Sequence, residues 1–157
     1  MTESKPKFVY VTYIASTADK VFKALTSHEA TGRFWFGNAA TSDWKVGSPI
    51  EFNRDGKLVV RGTILENDPP RRLSYTFQAM HEPINGSEPP SRVVFELEQQ
   101  RDQVKLVVTH DDFPPDSKVF PGISNGWPLV LSSLKSYIEA DRVLWAPWDE
   151  KKKVAAS

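Results

Sequence analysis

Along most of this chain, hydrophobic and polar residues alternate, and near its end they fall instead at helical spacing. Residues 8–15 (FVYVTYIA) are rich in β-branched and aromatic side chains and predict a strand. Ser16 or Thr17 can then cap a helix, on which Val21, Phe22 and Leu25 form an apolar stripe. A second short helix is predicted over residues 27–34, ending near Gly37. After Gly47 the period changes to two. Ile50 and Phe52 share one face, Asp55-Gly56 supplies a hairpin turn, and Val60, Gly62 and Ile64 share a face of the next strand. Asp68-Pro69-Pro70 ends that strand, because proline cannot donate to a ladder. Leu73, Tyr75 and Phe77 alternate with Ser74, Thr76 and Gln78; Val93, Phe95 and Leu97 alternate with Arg92, Val94 and Glu96; and Leu106, Val108 and His110 then face together. The proline-rich stretch 81–90 between the first two of these runs is a loop. Pro114 and Pro115 close the sheet. Ile123, Trp127, Leu131, Leu134 and Ile138 then make one stripe of a long amphipathic helix, with Gly126-Trp127-Pro128 in or near its first turn.

This order predicts an α+β architecture: a curved antiparallel sheet of six or seven strands wrapped around a long C-terminal helix, with two short helices after the first strand. A meander with one wet face has one apolar face to cover, and the last helix is the long element available for it. Bulky side chains do not fill such a curve completely, so an internal cavity is expected between sheet and helix. Residues 1–7 are expected to be a flexible N-terminus, residues 8–141 one domain, and residues 142–157, with a lysine run at 151–153, a C-terminal extension.

Composition narrows the chemistry. The chain has 157 residues, enough for one domain with a sizeable core. Its 20 basic and 20 acidic side chains cancel, so the basic excess of a nucleic-acid binder is missing. Cysteine is absent, which removes disulfides, thiolate metal sites and cysteine nucleophiles. No apolar run approaches the ~20 residues of a membrane span, and no signal-like segment leads the chain, so a cytoplasmic protein without membrane insertion is expected. His28, His81 and His110 are not spaced as ligands, so neither a metal nor a cofactor is expected. Gly-x-Ser-x-Gly does not occur, and Gly47, Gly56 and Gly62 read as turn or bulge glycines.

Six segments in order carry a family resemblance: residues 18–26 (ADKVFKALT), 42–48 (SDWKVGS), 62–75 (GTILENDPPRRLSY), 106–110 (LVVTH), 126–128 (GWP) and 134–139 (LKSYIE). Together they resemble the family named after the activator of Hsp90 ATPase, within the helix-grip superfamily of START-like and birch-pollen-allergen-like domains. The resemblance covers about residues 9–140 and implies the helix-grip fold. The superfamily includes lipid carriers, hormone receptors, polyketide cyclases and co-chaperone modules, and a shared fold does not choose among them.

Three functions follow as expectations. The leading one is a non-enzymatic domain that binds a small hydrophobic molecule carrying one or two polar groups. Its cavity wall would come from Phe52, Val60, Tyr75, Phe77, Phe95, Val108 and His110, and its roof from Trp127, Leu131 and Leu134. Trp35 and Phe36 would stand at the entrance, since three neighbouring aromatics with Phe34 exceed what one buried helix face absorbs. The second is a cyclase- or hydratase-type enzyme, in which His110, paired with Asp112 if the strand continues, moves a proton in the cavity. The plainer role for His110 is a hydrogen bond to a buried tyrosine hydroxyl or a backbone group. The third is a protein-interaction module that contacts a chaperone or a second copy of itself. Trp145 and Trp148 either fold back onto the domain or cover a partner surface.

Overall fold

Seven strands and three helices make up the fold, seen in a computed structural model that describes residues 5–148. In chain order they are β1 (Phe8–Ile14), α1 (Ala18–Leu25), α2 (His28–Phe34), β2 (Ala39–Thr41), β3 (Pro49–Arg54), β4 (Lys57–Asp68), β5 (Arg72–Ala79), β6 (Ser91–Gln100), β7 (Gln103–Asp111) and α3 (Phe120–Ala140). The expected flexible N-terminus and C-terminal extension lie partly outside the described residues, and the lysine run at 151–153 lies wholly outside them.

The sheet is antiparallel throughout, in the order β1-β7-β6-β5-β4-β3-β2. Alternation decides its inner face: Ile50 and Phe52 on β3, Leu73, Tyr75 and Phe77 on β5, Val93, Phe95 and Leu97 on β6, and Leu106, Val108 and His110 on β7 are all buried. Register shifts at Phe52/Asn53 and at Ile64/Glu66 add the local bend that curves the sheet. Gly62 is needed where β4 comes closest to β5. A Cβ placed there would lie 1.8 Å from the Thr76 carbonyl oxygen, so its role is close approach rather than a turn.

Helix α1 starts where the Thr17 hydroxyl accepts a hydrogen bond from Lys20 N–H, which decides between the two candidate caps. Ser27 caps α2 in the same way through Ala30 N–H. Thr31 is fully buried, and its hydroxyl accepts from Ala40 N–H at 2.8 Å, tying the short β2 to α2.

Helix α3 begins at Phe120, seven residues before Trp127, with Pro121 in its first turn. The Gly126-Trp127-Pro128 segment is therefore inside the helix, correcting the sequence expectation. Pro128 leaves the Ser124 carbonyl without its usual i→i−4 donor, a local weakness that tertiary packing of Trp127, Val130, Leu131 and Leu134 offsets. Each such side chain contributes roughly 1.5–3 kcal/mol on burial. Beyond Pro128, α3 clasps edge strand β1: Lys135 Nζ donates to the Tyr13 carbonyl, and Ala15 N–H donates to Glu139 Oε2 at 2.7 Å. The result is the helix-grip arrangement, a sheet curved around one long helix.

Candidate functional site

A cleft of about 500 Å³ opens where the N-terminal half of α3 diverges from β3, β4 and β5. Its walls are Trp35, Phe52, Val59, Val60, Phe77, Ile123, Trp127 and Val130, and its rim includes Phe36, Arg54, Glu82, Lys118 and Trp148. The chain reversal after α2 sets the two neighbouring aromatics differently. Phe36 at φ 54° and Gly37 at φ 91° turn the backbone, so that Trp35 is buried while Phe36 stays half-buried at the rim. Trp35 packs tilted on Phe52 (4.8 Å between centroids) and on Trp127 (5.1 Å), and the three rings form a continuous aromatic surface.

Of the residues expected to form the site, Trp35, Phe36, Phe52, Val60, Phe77 and Trp127 line this cleft. Tyr75, Phe95, Val108, His110, Leu131 and Leu134 do not. They are almost wholly buried in the layer beneath, where Tyr75 packs on Phe52 (5.9 Å) and Phe95 packs on Trp127 (5.7 Å). Burial pushes the Tyr75 phenol above its ordinary value. Sequence reasoning missed Asn38, Arg54, Lys118 and the 81–84 segment, which come from loops or strand ends where no period marks a face. Val59 was missed because it is the extra residue of a bulge in β4, opposite Phe52/Asn53 of β3, which buries two successive residues of β4.

His110 occupies the layer under Trp127. Its Nδ1 accepts from the indole Nε1–H of Trp127 at 3.0 Å, and since an indole can only donate, that nitrogen carries a lone pair. Its Nε2–H therefore donates to Ser91 Oγ at 2.7 Å, and Ser91 Oγ–H donates to the Phe77 carbonyl at 3.1 Å. Loss of hydration lowers the His110 pKa to about 3, opposed only in part by the charge of Asp111. The imidazole is neutral, held in one tautomer, and spent at both nitrogens. The partners are a tryptophan and a serine rather than the tyrosine or backbone group expected. The His110–Asp112 couple does not form. Strand β7 ends at Asp111, which forms a two-pronged pair with Arg92, and Asp112 is exposed with φ 67°.

Trp148 folds back over the domain, packing edge-on against Phe36 at 5.5 Å, so the extension reaches the cleft mouth. Trp145 is half exposed. Among the described residues no three His, Cys, Asp or Glu side chains gather into a metal-like group, and no helix is long and apolar enough to cross a membrane.

Fold and cleft together define a helix-grip protein. The family model of the activator of Hsp90 ATPase homolog 1-like proteins matches residues 15–139, and the chain belongs to that family. No curated protein matches its sequence significantly. Solved structures agree on the fold. The Aha1 dimer from Colwellia psychrerythraea aligns with a TM-score of 0.72 at 19% identity, over 87% of this chain and 98% of that one. An HSP90 activator from Plasmodium falciparum gives 0.70 at 20% identity, over 84% and 95%. DynU16, from the dynemicin biosynthetic locus, gives 0.72 at 15% identity, over 87% and 48%.

Proposed function

We infer that this protein binds a small hydrophobic molecule in the cleft between its sheet and α3, as a carrier or sensor rather than a catalyst. The observation that carries this reading is the cleft itself. Its volume of about 500 Å³ is in the ordinary range for small-molecule sites, and its walls are aromatic and aliphatic. His110 supports the non-catalytic side of the reading. It lies behind Trp127 with both nitrogens engaged, so a bound molecule would meet no free imidazole there.

The test is saturable binding of N-phenyl-1-naphthylamine, whose emission rises in apolar surroundings, with and without a plug. Gly126 lines the cleft, and a Cβ added to it meets no atom within 4 Å, so Gly126→Phe adds bulk at the cleft wall, and an unchanged urea unfolding transition checks that the variant is folded. Binding by the native protein and its loss in Gly126→Phe support the reading. Absence of saturable binding, or binding indifferent to the plug, defeats it.

A second reading, a protein-contact module of the kind the family name suggests, has one observation in its favour. Val9, Val11 and Tyr13 stand 42–51% exposed on the outer face of edge strand β1. Stimulation of a chaperone's ATPase turnover that is lost in Val11→Lys would favour it over the carrier reading.

A further inference from the structure

The polar groups at the cleft mouth are arranged for a particular class of guest. Arg54 ends β3, Lys118 precedes α3, and both line the opening. Ala39 pairs with Asn53, so Asn38 and Arg54 stand across from each other one step beyond that ladder. The Arg54 stem runs over Gly37, where a Cβ would lie 3.4 Å from Arg54 Cγ. Arg54 is half-buried there. Neither Arg54, Lys118 nor Glu82 enters an ion pair among the described residues, although six other pairs form there. Among the described residues of the lining, Arg54 and Lys118 are cations and Glu82 is a carboxylate, and the Glu88 carboxylate beside Lys118 is already engaged by the Lys118 backbone N–H and the Ser117 hydroxyl. Asn38 also lines the cleft, and its Oδ1 is buried with no hydrogen-bond partner.

The interior adds shape. Trp35, Phe52, Phe77 and Trp127 offer ring faces and edges at several tilts, which suits a planar aromatic guest better than a flexible alkyl chain. We propose that the ligand is a planar aromatic monocarboxylate bearing a hydroxyl or N–H group, its carboxylate held by Arg54 and Lys118 and its donor bonded to Asn38 Oδ1. A carboxylate at the mouth meets two cations that form no ion pair among the described residues, and the flat guanidinium fork fits its edge. The proposal rests on the cleft-binding reading above and adds to it a charge, a shape and an orientation.

Quenching of tryptophan emission from Trp35, Trp127 and Trp148 provides the assay, with four probes: 2-naphthoate, its methyl ester, 6-hydroxy-2-naphthoate and decanoate. In the native protein 2-naphthoate binds about tenfold more tightly than the ester, as expected for a charge-assisted contact. The hydroxyl adds about a further fivefold. Arg54→Gln narrows the gap in affinity between acid and ester, and Glu82→Gln widens it. Asn38→Leu removes the advantage of the hydroxyl. Equal binding of acid and ester, unchanged by Arg54→Gln, overturns the anionic assignment and leaves the apolar cleft standing. Decanoate binding more tightly than 2-naphthoate overturns the aromatic assignment. Failure of all four probes to saturate removes the cleft reading itself and this proposal with it.

Discussion

Lowering the pH from 7.5 to 5.0 isolates the buried imidazole of His110. In the folded protein its pKa is depressed to about 3, whereas an unfolded chain restores the ordinary value near 6.5. The unfolded state therefore takes up a proton as the pH falls below about 6.5, and the folded state does not until near pH 3. The stability linked to this group is complete above pH 6.5 and declines below it, by about 1.4 kcal/mol per pH unit. Between pH 7.5 and 5.0 the loss amounts to about 2 kcal/mol. Asp111 and Glu139, whose carboxyls are held below their ordinary values by Arg92 and by the Ala15 N–H, lose their stabilising effect at lower pH, outside this window. The assay is urea unfolding of the native protein and His110→Gln at both pH values. Glutamine keeps an acceptor for Trp127 and a donor for Ser91 but does not titrate, so the variant is less stable at pH 7.5 by about 1–3 kcal/mol. The decisive quantity is the difference between the two pH values, which should be about 2 kcal/mol smaller in the variant. An identical pH dependence in both proteins would show that His110 accepts a proton while folded, and would refute the buried, doubly bonded imidazole.

Three further outcomes are expected. Gly62→Ala drives a methyl group into the Thr76 carbonyl, so the β4–β5 pairing separates and thermal unfolding occurs at a clearly lower temperature; an unchanged Tm would mean the strands lie farther apart. Trp127→Phe strips His110 Nδ1 of its donor and costs about 1–3 kcal/mol by chemical denaturation, more than the smaller ring alone would explain. Thr17→Ala removes the α1 cap and costs about 1 kcal/mol, whereas Ser16→Ala, whose hydroxyl caps nothing, is neutral in the same measurement.

The strands and their inward faces were legible because alternation is a local signal. Leu73, Tyr75 and Phe77 had to face together whatever the rest of the chain did. The start of α3 was not legible from the apolar stripe, since Pro128 resembles a helix beginning and Pro121, the true first-turn proline, lies outside the stripe. The candidate site was half legible for a related reason. Period two tells which face a residue occupies but not how far along the sheet it lies, so Phe52 and Phe77 at the open end could not be separated from Tyr75, Phe95 and Val108 beneath α3. Arg54, Asn38 and Lys118 reach the mouth only through the folding of distant segments onto one another. The pairing of His110 with Trp127 spans 17 residues and two elements, and its only sequence trace is a histidine on an otherwise apolar face.

The central claim, that a ligand enters this cleft, is tested most directly by the indole N–H signals of the five tryptophans in a two-dimensional nitrogen–proton NMR spectrum. Trp35, Trp127 and Trp148 line the cleft, and Trp44 does not. On saturation with 2-naphthoate the first three signals should shift together along one binding curve while Trp44 stays in place. The Trp127 signal should keep the protection that its bond to His110 confers. A spectrum in which Trp35 and Trp127 remain still at saturation, or in which Trp44 alone moves, would contradict the account.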